Sequence, residues 1–248
     1  MSQPEQHRDH YVIGLLSVFS VFWLLLAFGV EDRSAWLLEN VLTGVFVIWL
    51  LYSYHRFRLS RLSYTLIFVF LCIHVVGAHY TYSLTPYDAM AESLFGRSIS
   101  DTFGWERNHY DRFVHLCYGL LIAYPIREMF LRIVNVRGFW GYFLPFDLTL
   151  SSSFFYEMIE WGAAVVFGGD LGMAYLGTQG DIWDAHKDIA LGGLGALLAM
   201  GIVIGVNVWL QRDFAAEWVD SFRVKQAEPL GEEAIAEMLA ARQSRLGE

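Results

Sequence analysis

Charge is scarce in this chain. Charged side chains make up 17% of its 248 residues, against about a quarter in soluble domains, too few to cover a protein of this size in water. Proline (5) and cysteine (2) are scarce too, and basic residues (17) are outnumbered by acidic ones (26). With 22 glycines and so few prolines the chain is neither collagen-like nor low-complexity, and two cysteines cannot staple a disulfide scaffold. A net charge of -9 excludes a nucleic-acid partner, whose phosphates require a basic footprint. What the chain has instead is apolar bulk: 55% hydrophobic, 17% aromatic, mean hydropathy +0.38. These values describe an integral membrane protein. Cys72 and Cys117 both fall inside apolar runs and read as inert packing residues.

Crossing a bilayer takes about 20 mostly apolar residues per helix. Six segments qualify: 11–30, 35–54, 62–82, 111–131, 141–167 and 188–210. The expected fold is therefore all-α, a polytopic bundle of six transmembrane helices over residues 1–210, followed by a cytoplasmic amphipathic tail, 211–248. The first run is longer than the roughly 7–15 apolar residues of a cleavable signal, and no A-x-A site follows it, so it is expected to stay as an anchor. Orientation follows from Lys and Arg. Arg8, Arg56, Arg58, Arg61, Arg127, Arg132, Arg137, Arg212, Arg223, Lys225, Arg242 and Arg245 fall on one side; Arg33, Arg97, Arg107, Arg112 and Lys187 fall on the other. The richer side is cytoplasmic by this rule, which puts both termini inside and loops 83–110 and 168–187 outside. Thr85-Pro86-Tyr87-Asp88 predicts an interfacial helix with Pro at its first position, running to Phe95 and stopped by Gly96. Ile235, Met238, Leu239 and Leu246 predict a second amphipathic helix in the tail.

Ionisable residues inside spans cost about 2.5–3.5 kcal/mol each on insertion scales and normally face a cavity or one another. Here their depths coincide. His79 and Tyr80 end the third span; Asn108, His109, Asp111 and His115 open the fourth; Glu157 and Glu160 lie in the outer half of the fifth; Asp181, Asp184 and Asp188 open the sixth; and Glu39 lies near the outer end of the second. At 1.5 Å rise per residue, His115, Asp188, Glu160 and Glu157 sit about 7–16 Å below the helix ends. Asp111 and His115 share a helix face at i, i+4, as do Glu157 and Glu160 at i, i+3. The stripe Asp181, Asp184, Asp188 continues through Gly192 and Gly195, small residues that admit a neighbouring helix.

Plainer roles compete for several of these residues. Asp181 can cap the sixth span and Asp111 the fourth; His74 reads as a hydrogen-bonded core residue; Glu39 and Asn40 read as polar glue between helices. Arg107, Arg112 and Lys187 can pair the acids into a buried salt-bridge network. Ser151, Ser152 and Ser153 read as packing. Asp147 falls in the other half of its span and stands outside the cluster. The Gly-rich stretch from Gly168 to Asp181 ends at a helix start, a place that suits phosphate, but Asp181 and Asp184 would repel an anion there. Several acids in one low-dielectric layer must keep protons or take up a metal. Carboxylate with imidazole suits Zn, Mn or Fe, and carboxylates alone suit Mg or Ca. A di-metal bundle uses Glu-x-x-His pairs, and the one such pair here, Glu106 to His109, precedes the fourth span.

The runs Gly77-Ala78-His79-Tyr80-Thr81-Tyr82, Arg107-Asn108-His109-Tyr110-Asp111-Arg112-x-x-His115, Phe155-Tyr156-Glu157-x-x-Glu160-Trp161 and Leu176-Gly177-Thr178-Gln179-Gly180-Asp181-x-Trp183-Asp184 resemble the YjdF family of bacterial inner-membrane proteins. The order Asp111-x-x-x-His115, Glu157, Asp184 is also similar to the VanZ-like membrane proteins linked to glycopeptide resistance, which usually carry Asn where Asp188 stands. The resemblance implies a bacterial inner membrane and marks the site residues; it implies no reaction.

From the residues, His115, Glu157, Glu160, Asp184 and Asp188 are expected to act together as catalytic and metal-ligating groups. His79, Arg107, Asn108, His109, Asp111 and Asp181 are expected around the cavity mouth. The expected cofactor is a divalent metal (Zn, Mn, Fe or Mg), and the expected partners are membrane lipid and a lipid-linked or amphiphilic substrate at the outer leaflet. A proton- or cation-coupled transporter and a structural membrane protein are the alternatives. Against transport, no Gly/Pro-broken helix pair is evident and acids are few in the cytoplasmic half.

Overall fold

The computed structural model describes residues 3–169, 172, 176–210, 214–225 and 231–246. Residues 170, 171 and 173–175 of the Gly-rich stretch, Arg212, and residues 226–230 of the tail lie outside the described residues. In chain order the elements are α1 (Gln3–Leu26), α2 (Arg33–Ser53), α3 (Arg61–His79), α4 (Tyr87–Phe95), α5 (Ile99–Phe103), α6 (Tyr110–Met129), which runs on into a π-helical turn (Phe130–Val134), α7 (Trp140–Phe167), α8 (Asp184–Trp209), α9 (Phe214–Asp220) and α10 (Glu232–Leu246). No strand occurs among the described residues. The protein is all-α.

Five of these helices are long and apolar enough to cross a membrane: α1 from Asp9, α2, α3, α6 with its π-helical turn, and α8. Six spans were expected. The remaining one, α7, is 28 residues long, yet Asp147, Ser151, Ser152, Ser153, Glu157 and Glu160 dilute its hydropathy.

Helix ends follow local chemistry and shift some expected boundaries. Asp32 caps α2 by accepting from Ser34 and Ala35 N–H, and Ser60 caps α3 by accepting from Ser63 N–H. α3 stops at His79, short of the expected 82, because Thr81 and Tyr82 turn into positive φ. That turn folds the Tyr82 ring over Gly77, where a Cβ would lie 2.7 Å from it, and lets Tyr82 Oη bond His74 Nδ1. His74 is thus the hydrogen-bonded core residue that the sequence suggested. α4 begins at Tyr87 with Pro86 at its N-cap, one step outside the expected helical position, and ends on Gly96 at φ 73. Its Met90, Leu94 and Phe95 are exposed, as are Ile235, Met238 and Leu239 of α10.

α6 is the hub, packing on α3, α7 and α8; α7 also packs on α8, while α1 and α2 lean on α3. Lipid is as apolar as leucine, so burial alone gives little drive for helix association in a membrane, and close backbone approach matters more. The α6–α8 contact is of that kind. A Cβ at Gly119 would collide with the Gly192 carbonyl oxygen, and one at Gly195 with the Leu116 carbonyl oxygen. At the opposite end from the acids, Glu128 of α6 accepts from Ser60 N–H (2.9 Å) and Ser63 Oγ (2.6 Å), pinning the start of α3.

Candidate functional site

The glycine crossing explains why acids from two helices meet. His115 lies one turn before Gly119 on α6, and Asp188 lies one turn before Gly192 on α8. Closing the crossing at the glycines holds the preceding turns face to face. Asp111, His115 and Asp188 each present one ligand atom, and these atoms all lie within 4.8 Å of one another. Glu157 of α7 completes the group, with its Oε1 3.3 Å from His115 Nε2; Asp111 Oδ1 is 3.7 Å from the same nitrogen.

Asp188 is 2% exposed, and Glu157, Glu160 and His115 are buried as well. Asp188 Oδ1 and Glu157 Oε1 have no hydrogen-bond partner among the described residues. No Lys or Arg forms an ion pair with Asp111, Glu157, Glu160 or Asp188 among the described residues; the only pairs made are those with His115. Glu39, which the sequence offered as polar glue, does link helices: its Oε2 accepts from Tyr156 Oη of α7 at 3.1 Å. Asn40 beside it accepts from Trp23 Nε1 and donates to the Trp36 carbonyl.

Asp184 goes elsewhere. It was expected among the metal ligands, but its carboxylate is clasped by Arg107 Nη1 at 2.8 Å and Arg112 Nη2 at 3.1 Å. Asp181 joins the same rim, 2.5 Å from both Arg112 Nη2 and Lys187 Nζ. The Lys187 hydrogen bond, with the Trp183 N–H, holds the Asp181 carboxyl well below the usual carboxylate range. The alternative reading set Arg107, Arg112 and Lys187 against Glu157, Glu160, Asp188 and His115; among the described residues these cations pair with Asp181 and Asp184 instead. Asp181 does not cap α8, which opens with Trp183 at its N-cap, and α6 starts one residue before Asp111.

The remaining mouth residues build the rim's scaffold. Asn108 N–H donates to Gln179 Oε1, Gln179 Nε2 returns a bond to the Asn108 carbonyl, and Arg107 Nη1 reaches the Thr178 carbonyl at 2.9 Å. His109 stacks on Trp105 with ring centroids 4.3 Å apart, and its Nε2 lies 3.3 Å from Arg112 Nη1. Burial, then the Arg112 and Arg107 guanidiniums, push His109 below its usual range. His79 is placed apart from this group, bonded through Nδ1 to the Leu26 carbonyl at 2.7 Å. Asp88, the acid in the first turn of α4, also clasps the start of α5 through Ser98 and Ser100. Burial raises its carboxyl, but those bonds outweigh it and hold it low.

Beneath the acids runs a cavity of about 390 Å³. Asp111, His115, Tyr82, His74 and Tyr156 form its polar end, and mostly apolar residues of α2, α3, α6 and α7, with the hydroxyls of Thr43, Tyr118, Ser152 and Ser153 among them, form most of the rest. Sequence reasoning missed this cavity, since only the lateral order of helices creates it.

The family described as Predicted membrane protein (DUF2238) matches residues 11–208. Inner membrane protein YjdF of Escherichia coli (strain K12) is 36% identical over 184 residues, 73% of this chain and 84% of that protein. No solved structure matches.

Proposed function

We propose that this chain, which belongs to the DUF2238 family and is a multi-pass membrane protein, is a metal-dependent enzyme of a bacterial inner membrane. It spans six times, counting α7, with both termini cytoplasmic and the acid cluster below the outer face. Asp111, His115 and Asp188 hold one divalent cation, and Glu157 and Glu160 supply a further ligand or move a proton. Two carboxylates and one imidazole suit Zn, Mn or Fe, and three protein ligands leave positions open for water or substrate. The cation polarises the head of an amphiphile drawn from the outer leaflet, and a carboxylate or His115 transfers the proton.

The observation that carries this reading is the convergence of three ligand atoms within 4.8 Å in a layer where, among the described residues, no Lys or Arg pairs directly with Asp111, Glu157, Glu160 or Asp188. Such a layer is stable only with protons or a cation. Glu39, nearer Tyr156, belongs to the cluster's wall. The test is chelation. A cation that binds only the folded state stabilises by about 2.7 kcal/mol at a hundredfold excess over Kd. Chelator should therefore lower the Tm of the wild type, and restored Mn or Zn should raise it again. Asp188→Asn should abolish that response, whereas a wild-type Tm indifferent to chelator would refute the metal centre.

A further inference from the structure

The cavity under the cluster has a shape that says what enters it. Its lining on α6 runs from Asp111 to Met129, about 27 Å at 1.5 Å per residue. A volume of about 390 Å³ drawn out along that length is a slot and not a rounded chamber. Its polarity is one-sided: Asp111, His115 and Tyr156 close one end, and residues such as Leu50, Leu71 and Ile126 line the remainder. It also opens sideways. Trp49 of α2 and Leu148 of α7 both line it, yet they are 44% and 39% exposed on the lipid-facing surface. α2 packs on α3 and is tied to α7 through the Tyr156–Glu39 bond near the polar end, which leaves the flank at Trp49 and Leu148 facing the bilayer core.

We infer that this slot is the binding site for a single hydrocarbon chain of a membrane amphiphile with a neutral, hydroxyl-bearing head, the head resting against Asp111, His115 and Tyr156 and the chain running down the slot towards the lateral opening between Trp49 and Leu148. A mostly apolar slot open to lipid favours hydrocarbon over water, whose polar partners along it are confined to Thr43, Tyr118, Ser152 and Ser153. An anionic head is disfavoured because the end wall is acidic, while Arg107 and Arg112 are already held by Asp181 and Asp184. The inference deepens the amphiphile reading of the proposed function and rests on it for why the head is brought to the cluster. The slot itself needs no metal.

The full chain in nanodiscs, with chelator present throughout, is titrated with monoolein or with oleate, and native mass spectrometry counts the molecules retained. One saturable monoolein per chain is expected, with oleate binding at least tenfold more weakly. Ile126→Phe, which puts a ring across the slot, should weaken monoolein at least tenfold, while Ile126→Leu should keep it. Should Ile126→Phe fail to fold, Leu148→Trp at the lateral opening replaces it with the same expected loss. Absence of a saturable single copy overturns the site, as does wild-type affinity in a folded slot-filling variant; oleate binding as tightly as monoolein overturns the neutral head. Because metal is removed in every arm, a failure here is separate from a failure of the metal centre.

Discussion

Asp184 and Asp188 stand one turn apart on the same face of α8, and the protein treats them in opposite ways. Asp184 is held by two guanidiniums, and Asp181 above it by Arg112 and Lys187. One turn deeper, Asp188 meets Asp111 and His115, and among the described residues no Lys or Arg pairs with it. The rim acids are explained by the charges that balance them. The deeper acids lack such direct pairs, and since an unbalanced buried charge costs several kcal/mol, protons or a cation must complete the balance. The comparison separates a structural ion network from a site built to receive a cation, using the same residue type in both.

The largest break in that contrast is expected from Asp184→Ala. It leaves Arg107 and Arg112 with only Asp181 as a shared acidic partner, so the loss should approach but not exceed the about 3–5 kcal/mol of a buried pair broken outright. Chemical or thermal unfolding should show that loss in the metal-loaded and the chelated protein alike. Asp188→Asn should behave in the reverse sense. Two like charges 4 Å apart repel by about 4 kcal/mol at an effective dielectric of 20, so in chelated protein this variant should match or exceed the wild type in stability. A destabilised Asp188→Asn under chelator would mean that Asp188 has a balancing partner after all.

The smallest effect is one of pH. Asp181 has a folded pKa below its unfolded value of about 3.9, so it adds stability above the unfolded pKa. That contribution is lost as pH falls from there toward the lowered folded value. The Tm difference between wild type and Asp181→Asn should accordingly shrink as the pH drops below about 4, and a difference constant across that range would remove Asp181 from the rim's ion pairs.

Much of this was legible in the sequence, and the reasons differ by residue. Asp111 with His115, and Asp184 with Asp188, share faces because helical spacing requires it, and Gly192 and Gly195 announce the close crossing that sets α8 against α6. The division between rim and cluster was not legible. It depends on Arg107, in the loop before α6, being steered by the Thr178 carbonyl and by the Asn108–Gln179 pair, contacts between segments some seventy residues apart. His79 looked like a mouth residue by depth alone, but depth carries no lateral direction, and its ring turns to Leu26 instead. The slot escaped notice for the same reason. As for the spans, hydropathy marks α1, α2, α3, α6 and α8 plainly, while α7 reads as the weakest because it carries the cluster's two glutamates.

Elemental analysis of the purified chain tests the central claim most directly. Purified without chelator, the wild type should carry one divalent cation per chain, and Asp188→Asn, purified alongside and equally folded, should carry little or none. A wild type as free of divalent metal as the variant, and unable to take up Zn or Mn when it is supplied, would contradict the account and leave the deeper acids to be balanced by protons.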